Sequence, residues 1–177
     1  MSKPSTQQLA VRLARGEESA FAELYDASAD RLHHYLTARL GSRDAASDVL
    51  QTAFLRAVKS RRRFRSVENP VAYLFQIARN EAMRWGKRQR GNDRPLAADE
   101  IFAASSDAFG QQDDAEVVAA ALGRLTVEDR ELVELNVFAG LTFRQISDVT
   151  GLPQGTVATR FRRAIESMRP WLVKQMR

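Results

Sequence analysis

The sequence predicts an all-α protein built as two small helical domains joined by an acidic, flexible linker. Three observations carry that expectation. Apolar residues recur at helical spacing along most of the chain, and the two-residue alternation of strands is almost absent. A stretch of about 25 residues, "RQRGNDRPLAADEIFAASSDAFGQQ", breaks the periodicity in mid-chain, which is unusual inside one compact domain. Charge follows the same partition. Residues 1–90 hold 17 Lys and Arg against 9 Asp and Glu, residues 91–116 hold 1 against 7, and residues 117–177 hold 9 against 6. Two bodies that face a polyanion, joined by a segment that avoids one, would be charged this way. The domains are therefore placed at 1–90 and 114–177, with the linker at 91–113.

The elements follow in order. Helices are expected over about 4–14, 18–39, 43–60 and 70–88, then 114–123, 127–139, 142–150 and 154–174. Gly41 ends the second helix and Ser42 caps the third. Asn69 caps the fourth, and Pro70 opens it at a position where its missing N–H costs nothing. Thr142 with Gln145 three residues on forms a capping box. The acidic linker suits either a strand that imitates a nucleic-acid backbone or a solvated tether.

Several functions find no support. The chain of 177 residues has no cysteine, which removes disulfides, thiolate metal sites and a thiol nucleophile. It carries no GxGxxG, P-loop or HExxH pattern. His33 and His34 are adjacent, so on a helix they diverge by about 100° and cannot share a metal. No catalytic, metal or cofactor site is expected. No apolar run is long enough for a bilayer, and the polar start "MSKPSTQQ" is not a signal peptide. A cytoplasmic, non-enzymatic protein without membrane insertion is expected.

Near the C-terminus, "GLTFRQISDVTGLPQGTVATRFRRAIESMR" holds two helical patterns separated by Thr150-Gly151-Leu152-Pro153. Val157, Phe161, Ala164 and Met168 make a buried stripe on the second helix, which packs on Leu141, Ile146, Val149 and Leu152. Gly151 supplies the left-handed residue of a tight turn. This is a helix-turn-helix, whose second helix enters a DNA major groove. Thr156, Thr159, Arg162 and Arg163 lie opposite the stripe, where they reach base edges and phosphates.

The words "LTFRQISDVTGLPQGTVATRFRRA" resemble region 4 of bacterial sigma factors, in particular the extracytoplasmic-function group of the sigma-70 family. That group reads L-[ST]-x-x-E-I-A-x-x-x-G-x-P-x-G-T-V-[KR]-[ST]-R-[LI]-x-R-A. The chain matches from Leu141 and Thr142 through Gly151, Pro153 and Gly155 to Arg160, Arg163 and Ala164. It departs at Gln145, Ser147 and Ala158, the last of which removes a basic contact. The preceding "LGRLTVEDRELVELNVFAGLTF" fits the family's opening of region 4. The resemblance implies recognition of the −35 promoter element by Thr156, Thr159, Arg160, Arg162 and Arg163.

The N-terminal half resembles region 2 of the same family, through "SAFAELYDASADRLHHYLTARLGSRDAASDVLQTAFLRAVKS" and "NPVAYLFQIARNEAMRW". On the third helix, Asp44, Asp48, Gln51 and Leu55 share a face. By resemblance that face docks on the clamp helices of the largest subunit of core RNA polymerase, while the C-terminal half meets the flap of the second-largest subunit. Ser47 and Thr52 stand where the family often has Glu. They are candidate phosphorylation sites that a Ser/Thr kinase would use to restore the charge.

Holding separated strands needs aromatic surfaces and basic side chains. Arg61, Arg62, Arg63 and Arg65 flank Phe64 in a loop before Asn69, and Tyr73, Arg79, Asn80, Arg84, Lys87 and Arg88 follow on the next helix. The resemblance gives these residues the −10 element, with the loop capturing a flipped base and the helix holding the non-template strand. Phe75 and Ile77 suit either that surface or the core.

The implied function is that of an alternative sigma factor, which binds core polymerase and directs it to promoters by −35 and −10 recognition and melting. An anti-sigma factor is a regulator the family commonly has. The alternative is a free-standing helix-turn-helix regulator with an N-terminal sensor or dimerisation module.

Overall fold

In a computed structural model of the protein, residues 5–90 and 112–175 are described, and every regular element among them is helical. The expected linker falls largely outside these residues. The elements are α1 (Thr6–Arg15), α2 (Glu18–Leu40), α3 (Arg43–Lys59), a 3-10 turn (Arg61–Ser66) and α4 (Pro70–Arg90). After the linker come α5 (Gln112–Leu122), α6 (Val127–Val137), α7 (Phe143–Thr150) and α8 (Gln154–Gln175).

The boundaries have local causes. Ser5 and Gln8 close a capping box on α1, and Gly16 ends it at φ 81°. Gly41 ends α2 at φ 69°, and the Ser42 hydroxyl then accepts from Ala45 N to start α3. Asn69 Oδ1 accepts the Ala72 N–H at 3.0 Å at the head of α4. Thr142 and Gln145 close the expected box on α7, and Gly151 ends that helix at φ 76°. Each device satisfies a backbone group that a helix end leaves open.

The N-terminal half packs α2 against α3 and lays α4 across both. Leu24, Leu32, Leu36, Leu74 and Phe75 fill the space between them, all fully buried. Each such side chain contributes about 1.5–3 kcal/mol by leaving water. The Glu81 side chain, 4% exposed, ties α3 to α4 by accepting from Arg56 Nε at 2.8 Å, and it also accepts from Arg84 Nη1 on its own helix at 2.7 Å. In the C-terminal half, α5, α6 and α7 all pack on α8.

The two halves do not stand apart. α7 lies along α4, and α6 packs against α2. Leu132, Leu135, Ala139, Leu141, Ile146 and Val149 belong to the same apolar cluster as Leu36, Leu74 and Phe75. A second, smaller cluster around Leu122, Val133, Ala164 and Met168 belongs to the C-terminal half alone. The sequence predicts two bodies; their shared seam is a finding of the structure.

Candidate nucleic-acid interface

On α8 the buried stripe forms as expected: Val157 is 0%, Ala164 2% and Met168 5% exposed, with Phe161 half-buried beside Phe143. Thr156, Thr159, Arg162 and Arg163 are exposed on the other side. Arg160 differs. It is half-buried, and its Nε donates to Asp129 Oδ1 at 2.7 Å, while Arg163 Nη2 lies 3.8 Å from the other carboxylate oxygen. Arg160 therefore braces α8 against α6 and is not free to meet DNA in this conformation. Asp129 sits in the first turn of α6, where the Thr126 hydroxyl caps its N–H.

In the N-terminal half an open cleft runs between α3 and α4. Its walls carry Arg56, Lys59, Arg63, Tyr73, Asn80 and Arg84. Arg61, Arg62 and Arg65 are exposed on the 3-10 turn, and Lys87 and Arg88 are exposed towards the end of α4. The arrangement offers an aromatic ring, amide and hydroxyl groups, and cations along one path, as a separated strand needs.

Phe64 corrects the sequence reading. It is 0% exposed, edge-on to Phe21 at 6.1 Å and to Tyr73 at 5.1 Å. A ring with no free face cannot stack on a base; Phe64 instead anchors the 3-10 turn to the core. The expected loop is correspondingly a turn of helix over residues 61–66. Three further residues have partners within the protein. Asn69 uses its Oδ1 as a helix cap, Arg79 forms a two-bond pair with Glu131 at 2.8 and 2.9 Å, and Arg84, still half-exposed, donates to Glu81 at 2.7 Å. Phe75 is core, whereas Ile77 lines the cleft.

The third surface lies on α3. Asp44, Asp48, Gln51 and Leu55 are all exposed. Ser47 Oγ lies 3.2 Å from His33 Nε2, and Thr52 Oγ1 donates to Asp48 O at 2.9 Å. Beside this row a groove between α2 and α3 is lined by the exposed Tyr25 and Val58 and the half-buried Phe54, with the Tyr25 and Phe54 rings 4.9 Å apart. Tyr25 is 48%, Leu55 56% and Val58 42% exposed, an apolar patch next to carboxylates. Sequence reasoning missed Tyr25, Phe54 and Val58. Val58 could have been found by continuing the row from Gln51 and Leu55; Tyr25 is on another helix, so no spacing points to it.

The family described as Sigma-70 region 2 matches residues 24–91, and that described as Sigma-70, region 4 matches residues 115–168. The ECF RNA polymerase sigma factor RpoE of Cereibacter sphaeroides is 30% identical over 164 residues, 86% of each chain. The chain belongs to the extracytoplasmic-function sigma factors of the sigma-70 family. The RNA polymerase sigma factor CarQ of Myxococcus xanthus is similar too, 28% identical over 91% of this chain and 94% of that one. In fold the chain also matches CnrH, solved in complex with the cytosolic domain of CnrY. The TM-score is 0.68 at 22% identity, covering 97% of this chain and 99% of that one.

This sigma factor is thus a promoter-specific transcription initiation factor, with region 2 in its N-terminal half and region 4 in its C-terminal half. Among the described residues no group of His, Asp and Glu could hold a metal, and no helix is long and apolar enough to cross a membrane. The sequence reading of the sigma factor also missed Arg39, Glu131 and Glu134, which meet across the seam between regions 2 and 4.

Proposed function

We propose that three surfaces of this sigma factor divide the work of initiation. The exposed Thr156, Thr159, Arg162 and Arg163 read −35 duplex DNA in the major groove. The cleft between α3 and α4, with Arg63, Tyr73, Asn80 and Arg84 in its walls, holds the −10 strand after separation. The exposed cations Arg61, Arg62 and Arg65 of the 3-10 turn and Lys87 and Arg88 of α4 help it. The face of Asp44, Asp48, Gln51 and Leu55, widened by Tyr25 and Val58, docks on the clamp helices of the largest polymerase subunit. Region 4 meets the flap of the second-largest subunit. The division of the chain at 1–90, 91–113 and 114–177 belongs to this reading. The protein works in the cytoplasm beside the polymerase and catalyses no reaction of its own.

One observation carries the reading: a reading helix, a basic aromatic cleft and an acidic apolar patch occur on one chain, in the order of regions 2 and 4. A simple operator-binding regulator needs the first and has no use for the other two. Run-off transcription with core polymerase on genomic fragments, with mapping of start sites, tests it. Arg163→Ala should weaken −35 recognition and Asp48→Ala should weaken core binding. A chain that ignores core polymerase yet binds duplex operators tightly alone would overturn the reading.

Control by an anti-sigma factor and by a Ser/Thr kinase extends the same reading. A phosphate on Ser47 would lie beside His33 and restore charge on the docking face. Ser47→Asp and Thr52→Asp should raise affinity for core polymerase; unchanged affinity in both removes the kinase from the account.

A further inference from the structure

The cleft between α3 and α4 holds one acidic side chain among cations. Arg56 and Lys59 of α3, Arg63 of the 3-10 turn and Arg84 of α4 line it together with Glu81. Tyr73, Ile77, Asn80, Glu81 and Arg84 recur at helical spacing, so Glu81 belongs to the row of α4 that faces the cleft. A bare carboxylate on that row would repel a polyanion. Yet the Glu81 side chain is 4% exposed, and guanidinium groups from both walls close on it.

Arg56 Nε and Arg84 Nη1 lie 2.8 and 2.7 Å from the same oxygen, Glu81 Oε1. These contacts leave a whole two-donor edge on each guanidinium: Nη1 with Nη2 on Arg56, and Nε with Nη2 on Arg84. The two side chains stay 49% and 53% exposed, so the donors that Glu81 leaves over are within reach of a molecule lying in the cleft. Side by side, the two cations would repel each other without the carboxylate between them. A tie between α3 and α4 accounts for Arg56, which crosses from one helix to the other. It does not account for Arg84, which stands on the same helix as Glu81, three residues on. What the second bond does is aim Arg84.

We propose that Glu81 is a positioning residue, which sets Arg56 and Arg84 as the two arms of a clamp on one backbone phosphate of the separated −10 strand. This inference adds Arg56 and Glu81 to the strand-binding cleft, and it rests on the reading of that cleft as the −10 site. A planar donor edge takes phosphate oxygens by two parallel bonds, and two edges from opposite walls can grip one phosphate from both sides. Arginine is long and flexible; holding it in place beforehand removes an ordering cost that the strand would otherwise meet. The buried acid therefore strengthens anion binding, opposite in sign to what its charge alone would do.

The test uses holoenzyme, the full chain on core polymerase. The probe is single-stranded non-template DNA across the −10 region of a promoter whose start site has been mapped by run-off transcription. A series of probes replaces one phosphate at a time by an uncharged methylphosphonate. With the unaltered protein one position should stand out, losing about tenfold in affinity. Glu81→Gln keeps the side chain's shape and removes its charge. It should bind the unmodified strand about tenfold more weakly, and the methylphosphonate at that one position should then cost little more. Arg56→Lys and Arg84→Lys keep the cations and lose the second donor edge; each should show the same flattened profile. Urea titration reports on the folding of each variant, and the two lysine variants decide the matter where Glu81→Gln is unstable.

Equal or tighter binding by Glu81→Gln, as its charge alone requires, overturns the proposal. So does weaker binding in which the sensitive position persists, because a loosened cleft loses affinity without losing one phosphate in particular. Arg63→Ala combined with Asn80→Ala checks the cleft itself. Where that variant weakens strand binding and Glu81→Gln does not, the cleft stands and the clamp falls. Where neither changes strand binding, both fall.

Discussion

Glu134 is a fully buried carboxylate whose neighbours are Arg39 and Tyr35 on α2 and Arg130 and Glu131 on its own helix. Burial raises its pKa above the ordinary carboxylate range, with Arg130 and Arg39 opposing that shift. In an open form water would solvate it and its pKa would fall back. The compact form therefore binds more protons: Glu134 favours closure at lower pH, and that contribution is lost as pH rises through the raised pKa. Just above the ordinary carboxylate range, acidification should favour the closed form, read as a smaller radius of gyration by small-angle scattering. Glu134→Gln, neutral at every pH, should flatten that dependence. Glycine supplies a second residue-scale contrast. Gly151 and Gly16 both sit in the left-handed region, but a Cβ at Gly151 meets nothing within 4 Å, whereas one at Gly16 meets the Arg61 side chain at 3.0 Å. Gly151→Ala should cost roughly 1–2 kcal/mol from backbone conformation alone. Gly16→Ala should cost at least as much in urea titration and should also displace Arg61.

At the scale of the element, the 3-10 turn shows how a basic, exposed stretch is held by one apolar anchor. Phe64 is surrounded while Arg61, Arg62, Arg63 and Arg65 are exposed around it. Phe64→Ala should destabilise the protein by about 3–5 kcal/mol in chemical denaturation. A loss of DNA binding without loss of stability would restore Phe64 to the interface. The helix-turn-helix was nearly all legible in the sequence, because its turn is made by Gly151, its box by Thr142 and Gln145, and its buried face by helical spacing. Thr142→Ala should cost about 1 kcal/mol, measured as a shift of the urea midpoint. Phe64 was misjudged because a lone aromatic among arginines looks exposed by composition. Its burial depends on Phe21, 43 positions away in the chain, and on the ring of Tyr73.

At the scale of the whole molecule, charge distribution has two uses. Cations spread over α4, α8 and the 3-10 turn face outward into solvent, whereas Arg39 and Arg79 face inward to Glu131 and Glu134. Such a seam, part apolar and part ionic with partly exposed arginines, is sensitive to screening. Raising salt from about 0.1 M to about 1 M shortens the screening length from about 10 Å to about 3 Å. It should expand the protein, read as a larger radius of gyration by small-angle scattering. Glu131→Gln should be expanded already at low salt.

The sequence by itself determined the helices, their caps, the helix-turn-helix and the family, because each is written in contacts between residues near one another or in short fixed words. It also determined that the row of Asp44, Asp48, Gln51 and Leu55 on α3 is exposed, since helical spacing separates that row from Ala46, Val49 and Ala53. Only the tertiary structure decided which arginines are free and which are held. Arg79 lies 52 positions before Glu131, and Arg39 lies 95 positions before Glu134. No local pattern reports a partner at such a distance: a cation that meets a carboxylate and one that meets DNA look alike until the chain has folded around them.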